Sequence, residues 1–312
     1  MLDWPASFPF PNEDDRLAVA ASLAALPDNA LVMIDGLALG TLAGLARHEM
    51  QRLRLVALVH HPLALETGLS PMMAATFAAE ERDALACVSA VIVTSNTTAA
   101  IVEAAFGVPG ERITVATPGV DKPAAPGGER RPGPVRIFTL GSISPRKAHH
   151  VLIEALGRIE DLDWTCAIAG DLQRDPETAE ALIALIAMLG LDERIGLIGE
   201  VDETRAAALY ADADIFALAS VYEGYGMVFA EALAHGLPIV ATTGGAIPEV
   251  VPEEAGLLVE PGNAEAFAAA LGALVSDPTA RAALAEGSRQ AGAYLTGWDR
   301  TAAEIALVLE RL

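Results

Sequence analysis

Short β-branched runs alternate with longer Ala/Leu-rich helical patterns along this sequence. This alternation is typical of βαβ units, in which helices cover a parallel sheet. The candidate strands are nearly continuous apolar runs, which indicates sheets that are buried on both faces. The predicted strands are 30–35, 53–59, 90–94, 112–116, 135–140, 164–169, 194–198, 214–218, 238–241 and 256–259. The predicted helices are 38–51, 71–88, 97–106, 147–159, 176–189, 203–211, 226–235, 263–275 and 278–291, with a last helix after Trp298.

A segment rich in Pro, Gly and charge, residues 121–134, interrupts the alternation and predicts an interdomain linker. It separates a domain over residues 1–120 from a domain over 135–297. We predict that both are doubly wound α/β domains, with a ligand site beyond the carboxyl ends of the strands and in a cleft between the domains. The first domain has four candidate strands and begins in a Pro-rich segment, so it is either reduced or lacks an N-terminal βα unit. The closing helix, 298–312, is a candidate to pack back on the first domain.

The composition excludes several classes of partner. The net charge is -22, from 42 acidic and 20 basic residues, and it disfavours nucleic acids and anionic membrane surfaces. Cys87 and Cys166 form no C-x-x-C pair, so we expect neither a disulfide framework nor a zinc site. The chain opens without a basic segment and apolar core, and no apolar run reaches the length of about 18 residues that a membrane span needs. We therefore expect a cytoplasmic protein without a signal peptide, a membrane span or peripheral membrane binding.

Residues 214–250 carry the most chemistry, because a buried strand there leads into a glycine-rich loop and a helix. The loop contains Glu223, Gly224, Tyr225 and Gly226, and the helix contains Glu231. The glycines let the backbone approach a ligand, and the free amides of 225–228 at the helix start favour an anion. Glu231 by itself is typical of an ordinary helix surface. Its spacing from Glu223 across this loop favours a pair of carboxylates that bind vicinal hydroxyls.

The E-x7-E pattern at residues 223–231, within SVYEGYGMVFAEALAHGLPIVATTGG, resembles the retaining GT-B glycosyltransferases of family 4. The resemblance covers residues 135–300 and includes VRIFTLGSISPRKAHHVLIEAL, AIAGD and AGLLVEPGNAEAFAAAL in the family's order. Several motifs in order are more specific than a single Gly-rich match. The first domain resembles the family weakly. The resemblance implies a GT-B fold, with two Rossmann-like domains facing a cleft, and a nucleoside-diphosphate sugar as the donor substrate, with no cofactor.

The resemblance also implies roles for individual residues. Glu223 would bind hydroxyls of the donor sugar and Glu231 those of the ribose, while the amides of 225–228 would bind the sugar and diphosphate. The donor-binding residues of this loop and helix start are Gly224, Tyr225, Gly226, Met227 and Val228.

A second loop resembles the family's diphosphate-binding G-R-x-x-x-x-K motif. In this sequence it is Gly141-Ser142-Ile143-Ser144-Pro145-Arg146-Lys147. Lys147 matches the family's lysine and is one of only two lysines in the chain. Ser142 replaces the usual arginine, and Arg146 either substitutes for that arginine or faces solvent.

Four further residues are candidates for donor contacts. Ile198 and Gly199 end a predicted strand and resemble the backbone that frames the nucleotide base, and Gly170 ends a neighbouring strand near the same pocket. His60 follows a buried strand of the first domain and resembles the family's cleft histidine, which touches the donor sugar near the reacting centre. The alternative interpretation of His60 is a turn residue that precedes Pro62.

Two motifs of other enzyme classes are set aside. Asp212-Ala213-Asp214 and Asp161-Leu162-Asp163 match the D-x-D of metal-dependent glycosyltransferases, but both precede predicted strands, at the edge away from the cleft. We therefore predict no metal site. A dinucleotide-binding G-x-G-x-x-G between a strand and a helix is absent from the sequence, which excludes a dehydrogenase.

Together these features predict a retaining, metal-independent transferase that moves a sugar to a soluble acceptor, either a small molecule or a glycan. Lys147 and the helix start would stabilise the leaving diphosphate, while Glu223 and Glu231 orient the donor. Glu223, Lys147 and His60 are the predicted catalytic residues. The short first domain and Ser142 motivate one alternative, a non-catalytic nucleotide-sugar-binding protein or subunit. Another is a GT-B epimerase or phosphorylase.

Overall fold

A computed structural model describes residues 2–123 and 132–312 of the protein. The chain folds into two compact units. The N-terminal unit comprises Met1–Thr117 and Asp299–Leu312, and the C-terminal unit comprises Pro118–Trp298. The predicted linker, 121–134, lies largely outside the described residues, since 124–131 are not described.

The N-terminal unit contains a parallel sheet of four strands in the order β1-β2-β3-β4. These strands are β1 (Leu31–Asp35), β2 (Arg54–Val59), β3 (Ala90–Val93) and β4 (Ile113–Val115). Its helices are α1 (Glu13–Ala24), α2 (Gly36–Leu39), α3 (Ala43–Glu49), α4 (Pro71–Ala86) and α5 (Asn96–Phe106), with 3-10 turns at Leu63–Leu65 and Gly110–Arg112. All four predicted strands are confirmed to within one residue at each end.

The prediction missed helix α1. Its N-cap Asn12 accepts a hydrogen bond from the Asp15 backbone amide, and the Asp15 carboxylate accepts one from the Asn12 backbone amide. This capping box is readable in the sequence, as is the run of three acids in the first helical turn. The Pro-rich start of the chain obscured both signals.

The C-terminal unit contains a parallel sheet of six strands in the order β10-β9-β8-β5-β6-β7. Its strands are β5 (Val135–Leu140), β6 (Trp164–Ala169), β7 (Ile195–Gly199), β8 (Ile215–Leu218), β9 (Ile239–Thr242) and β10 (Gly256–Val259). Its helices are α6 (His149–Gly157), α7 (Pro176–Met188), α8 (Glu203–Asp212), α9 (Met227–Ala234), α10 (Ile247–Val250), α11 (Ala264–Ser276) and α12 (Pro278–Tyr294), with a 3-10 turn at Pro145–Lys147. The predicted α/β class with two parallel sheets is confirmed.

Helices cover both faces of this sheet. Alternate residues of a strand point to opposite faces, and those of β5 and β8 divide between two apolar clusters. Ile137 and Ile215 belong to a cluster with Leu152 and Phe267. Neighbouring strand residues belong to a second cluster that contains Tyr210, Phe216 and Phe229. Burial on both faces explains why these strands are mostly apolar.

Strands β5 and β8 are neighbours at the centre of the sheet, with Ile137 paired to Ile215 and Phe138 to Phe216. From β5 the chain continues outward through β6 and β7, and it then returns to β8 and continues through β9 and β10 on the other side. The position between β5 and β8 is therefore the topological switch point of a doubly wound sheet, where the loops after the two strands diverge.

The last helix, α13 (Trp298–Glu310), contributes to the N-terminal unit. Its Val308 is buried in a cluster with Val56 and Ile92 of the four-stranded sheet. The Thr301 hydroxyl donates to the Thr117 carbonyl at 2.7 Å. The end of the chain thus covers one face of the first sheet.

Candidate active site

The loops that follow β5 and β8 form the candidate site at the switch point of the C-terminal unit. The Val221 amide, after β8, donates to the Arg146 carbonyl, after β5, at 2.8 Å. The Ala246 amide, after β9, donates to the Glu223 carbonyl at 2.9 Å. Three successive loops are therefore tied together by backbone hydrogen bonds, which gives the side chains between them fixed positions.

Glu223 is the centre of this site and is buried. One of its carboxylate oxygens, Oε1, accepts from Lys147 Nζ at 2.5 Å and from Ser220 Oγ at 2.6 Å. The other oxygen accepts from Arg146 Nη1 at 3.3 Å. The structure thus brings together Glu223, Lys147 and Arg146, three residues that the sequence predicts as site residues. Ser220 was not predicted.

The charges of this cluster favour an ionised carboxylate. Burial raises the pKa of Glu223, but Lys147, Ser220 and Arg146 outweigh burial and leave the pKa below its usual value. Arg146 also donates to the Tyr222 carbonyl at 2.9 Å, so its guanidinium faces the loop after β8 rather than solvent. One buried anion thus holds two cations at the switch point.

Helix α9 begins beside this cluster, at Met227. Its N-cap is Gly226, with a φ of 95° and no side-chain hydrogen bond to the first turn. A Cβ at Gly226 would lie 2.7 Å from the Phe229 ring, so both conformation and space require glycine. No side chain caps the first turn of this two-turn helix, and binding of an anion by the amides of residues 225–228 stays a prediction.

Glu231 lies in α9 and faces a cavity of about 490 Å³ within the C-terminal unit. Its Oε2 accepts from the Tyr210 hydroxyl at 2.9 Å. Burial raises the pKa of Glu231, the Tyr210 hydrogen bond lowers it, and the nearby charges of Asp121 and Glu203 raise it, so the pKa is above its usual value. Glu231 is therefore partly buried and hydrogen-bonded rather than fully exposed, and its role in binding ribose hydroxyls stays a prediction.

The loop after β5 differs from the pattern expected of a surface helix start. His149, the first residue of α6, is buried, and its Nε2 lies 3.2 Å from the Ser142 carbonyl oxygen. Burial lowers the pKa of His149 to about 4, so the ring is neutral. Ala148 adopts a left-handed conformation with a φ of 47° between the 3-10 turn and α6. Ser142 Oγ lies 3.3 Å from Ser144 Oγ, and Ser142 supplies no cation.

Three glycines bring the ends of β5, β6 and β7 close together. The Gly170 amide donates to the Gly199 carbonyl at 2.9 Å. A Cβ at Gly170 would lie 2.1 Å from the Gly141 carbonyl oxygen, so a side chain there would displace the loop after β5. Gly199 has a φ of 74°, and Ile198 beside it is partly exposed. Close packing accounts for Gly170, and the donor contacts of these residues stay predictions.

His60 lies in the N-terminal unit, directly after β2. Its Nε2 is 3.2 Å from Asp35 Oδ2, and both side chains are about half exposed. Asp35 also caps α2 by accepting from the Leu37 amide at 2.8 Å. Burial raises the pKa of Asp35, but the hydrogen bonds from His60 and Leu37 outweigh it and lower the pKa. The sequence placed Asp35 at a strand end without indicating this pairing.

Other polar residues have structural roles. Asp212 and Asp214, the D-x-D motif set aside above, bind Arg136 at 2.9 and 3.1 Å. His235, at the end of α9, stacks on the Tyr210 ring, and burial lowers its pKa. Across residues 2–123 and 132–312, no three His, Cys, Asp or Glu side chains are grouped to hold a metal ion.

Two family models match the chain. The model described as glycosyl transferases group 1 matches residues 124–291, and the model described as glycosyltransferase family 4 matches residues 9–122. The first match covers more than half of the chain and contains both candidate loops. The chain belongs to the group 1 glycosyltransferases. The predicted family is thus confirmed, and the second match extends it to the N-terminal unit, which we judged only weakly similar.

Two curated proteins illustrate the sequence similarity of this glycosyltransferase to its relatives. One is an MMP alpha-(1->4)-mannosyltransferase of Mycolicibacterium hassiacum, with 29% identity across this whole chain and 77% of the relative. Another is a D-inositol 3-phosphate glycosyltransferase of Xylanimonas cellulosilytica, with 34% identity over 64% of this chain and 51% of the relative. The chain therefore spans about three quarters of the first relative and about half of the second.

Solved structures share the fold. Sucrose-phosphate synthase from Thermosynechococcus elongatus has a TM-score of 0.82 at 21% identity, over 98% of this chain and 82% of its own. Alr3699/HepE from Anabaena, in complex with UDP, has a TM-score of 0.74 at 22% identity, over 96% of this chain and 82% of its own. At this identity the likeness confirms the GT-B fold alone.

No helix within residues 2–123 and 132–312 is long and apolar enough to cross a bilayer.

Proposed function

We propose that this glycosyltransferase moves a hexosyl group from a nucleoside-diphosphate sugar to an acceptor hydroxyl, with retention at the anomeric carbon and without a metal ion or other cofactor. The proposal depends on one observation: the buried Glu223 accepts hydrogen bonds from Lys147 and Arg146 beside the start of α9. Its support is chemical: two cations and a free helix start lie where a doubly wound sheet binds ligands.

The diphosphate of the donor would bind Lys147, Arg146 and the first amides of α9. The Lys147 ammonium carries three hydrogens, so it can hold Glu223 and a phosphate oxygen together. The Arg146 guanidinium replaces the cation missing at Ser142. Negative charge develops on the leaving diphosphate in the transition state, and these donors are already oriented by Glu223, so little reorganisation is needed.

Glu223 would bind hydroxyls of the donor sugar rather than attack its anomeric carbon. Its pKa is lowered by the paired cations, which makes the carboxylate a weak base and a weak nucleophile. The carboxylate has about four acceptor positions, and three side-chain donors leave room for a sugar hydroxyl. Glu231 would bind the ribose, and the proposed reaction depends on positioning the donor.

The names of the relatives support the donor and acceptor that we propose. One name describes transfer of mannose and the other glycosylation of D-inositol 3-phosphate, so the two share glycosyl transfer. For this chain we propose a hexosyl donor and a small-molecule or glycan hydroxyl as acceptor. His60, oriented by Asp35, is proposed to contact the donor sugar.

A transfer assay with UDP-, GDP- and ADP-sugars tests the proposal, with NMR of the product to establish its anomeric configuration. Glu223→Ala and Lys147→Ala should each lower kcat/KM at least about 100-fold. The first removes the group that orients the sugar and both cations, and the second removes a cation from the leaving diphosphate. Arg158→Ala, at an exposed position after α6, is the matched control and should leave kcat/KM unchanged. Addition of EDTA should also have no effect.

The alternatives predict other outcomes of the same assay. Donor binding without transfer to any acceptor would support the non-catalytic binding protein, which the absent cation at Ser142 motivates. An epimerised donor or a free sugar phosphate would indicate the epimerase or phosphorylase. Full activity in both Glu223→Ala and Lys147→Ala would contradict the assignment of this site.

A further inference from the structure

Tyr210 is a buried tyrosine of α8. Its hydroxyl contacts Glu231, the residue proposed to bind the ribose of the donor. Its oxygen lies 2.9 Å from Glu231 Oε2 and 3.1 Å from the Val228 carbonyl, both on α9. A phenol carries one hydrogen, which the carboxylate attracts more strongly than a carbonyl does. The hydroxyl therefore connects α8 to α9 at Glu231.

The Tyr210 ring is held on several sides. Phe138 packs edge-on at 5.0 Å between ring centroids, Phe216 packs at 5.6 Å, and His235 stacks at 5.0 Å. Three ring contacts in a buried cluster leave the phenol a single orientation. The packed ring thus holds the hydroxyl in place as a donor to the partly buried Glu231 side chain.

The surroundings of Glu231 differ from those of Glu223. The groups that face Glu231 are Asp121, from the segment after β4, Glu203, from the start of α8, and Tyr210. The same cavity is lined by His235, whose pKa is lowered by burial, and by Lys122, whose ammonium donates to the Ala293 carbonyl. Among the described residues, the Tyr210 hydroxyl is the one side-chain donor recorded for the Glu231 carboxylate.

We propose that Tyr210 is a positioning residue for the donor: its hydroxyl holds Glu231 in the rotamer that binds the ribose hydroxyls. This inference rests on the proposed function of Glu231. Tyr210 binds Oε2 and leaves Oε1 to accept from the ligand, so a single carboxylate joins the protein core to the substrate. Without the hydroxyl, Glu231 would rotate among several conformers, and ligand binding would have to order it.

The hydroxyl also opposes the rise in the pKa of Glu231 that its acidic surroundings cause. Burial raises the pKa of Glu231, and Asp121 and Glu203 raise it further, whereas Tyr210 lowers it. Removal of the hydroxyl should therefore raise this pKa. An ionised carboxylate is the stronger acceptor for ribose hydroxyls, so nucleotide binding should then weaken at a higher pH during acidification.

The test is calorimetric titration of UDP and of GDP into the wild-type chain, Tyr210→Phe and the matched control Tyr294→Phe, from pH 5 to 8. Tyr210→Phe keeps the ring contacts and loses the hydroxyl, while Tyr294 is an exposed tyrosine of the same unit. We expect Tyr210→Phe to raise Kd about tenfold, the loss of one hydrogen bond to a charged group. As the pH falls, nucleotide binding by Tyr210→Phe should weaken at a higher pH than binding by the wild type. Tyr294→Phe should match the wild type. In the transfer assay the donor KM should rise with little change in kcat.

A double-mutant cycle with Glu231→Gln separates positioning from general packing. If Tyr210 acts through the Glu231 carboxylate, Tyr210→Phe should add little to the loss that Glu231→Gln already causes. An unchanged Kd and pH profile in Tyr210→Phe, or fully additive losses, would overturn this inference while leaving the proposed function intact. Failure of the wild type to bind UDP, GDP or, in a third titration, ADP would overturn the proposed role of Glu231 itself, as would normal binding by Glu231→Gln.

Discussion

Two buried glutamates, one in each unit, contact 3-10 turns in opposite ways. Glu81, in α4 of the N-terminal unit, accepts from the backbone amides of Leu63 and Ala64, at 2.9 and 3.0 Å, at the start of the turn Leu63–Leu65. Glu223, in the C-terminal unit, instead accepts from the side chains of Arg146 and Lys147, which belong to the turn Pro145–Lys147.

Both glutamates are buried, and their pKa values shift in opposite directions because their hydrogen-bond partners differ. Burial raises the pKa of Glu81 to about 7, and its two amide donors only partly oppose that shift. Burial acts on Glu223 too, but two cations and a hydroxyl lower its pKa below the usual value. Amides are dipoles without net charge, whereas cations supply a full opposing charge. Glu81 is therefore suited to hold a loop, and Glu223 to present a permanent anion.

Removal of the principal cation should produce the largest effect. Lys147→Met leaves the buried Glu223 carboxylate paired only with Arg146 and Ser220, and we expect a loss of about 3 kcal/mol in the opening free energy of the C-terminal unit. Amide hydrogen exchange in β5 and β8 measures that free energy. The double variant Lys147→Met/Glu223→Gln should recover most of the loss, because the uncompensated charge is gone. Equal losses in the single and double variants would contradict the ion-pair account.

The pH dependence of the N-terminal unit should reveal Glu81. Its folded pKa of about 7 lies above the ordinary value of 4.5, so the folded state binds this proton more tightly. The resulting stabilisation is complete below pH 4.5 and is lost as the pH rises through about 7, by at most about 3 kcal/mol. Hydrogen exchange of β2 and β3 should therefore show a decline between pH 5 and 8 that Glu81→Gln removes.

Glu223→Gln is the control for that experiment. A lowered folded pKa stabilises the protein above the ordinary pKa of 4.5, and this contribution is lost only as the pH falls through the folded value. Between pH 5 and 8 the substitution should leave the slope of stability against pH unchanged. A slope that responds to Glu223→Gln and not to Glu81→Gln would reverse the comparison.

A smaller effect should follow from loss of the neutral donor to Glu223. Ser220→Ala removes a buried hydroxyl that donates to Oε1 at 2.6 Å, while both cations remain. We expect a loss of about 1.5 kcal/mol in the opening free energy of β8, with nucleotide affinity less affected than in Lys147→Ala. A loss as large as that of Lys147→Met would show that the hydroxyl, rather than the cation, compensates the buried anion.

Much of the fold was predictable because it depends on local patterns. All ten strands follow from apolar runs between turn residues, and the position of the site follows from the glycine loop before Met227. The glycine loop also indicated Glu223, but only the family resemblance implied that Lys147 belongs to the same site. No local pattern in the sequence indicates that two residues 76 positions apart share a hydrogen bond.

The missed partners were residues of ordinary appearance. Asp35, Ser220 and Tyr210 lie at a strand end, after a strand and in a helix, where polar residues and tyrosines are common. His149 follows two basic residues closely and begins a helix, yet its side chain is buried beside the Ser142 carbonyl. Each of these contacts depends on where a neighbouring loop or helix lies in space.

The order of residues alone therefore determined the α/β class, the succession of strands and the family, since periodicity and glycine positions act over a few residues. Tertiary structure decided which acid is charged, which histidine is neutral and which tyrosine reaches Glu231. The physical reason is that these properties depend on burial and on partners from distant parts of the chain. For Glu223 and Lys147, those parts meet because β5 and β8 are neighbours in the sheet.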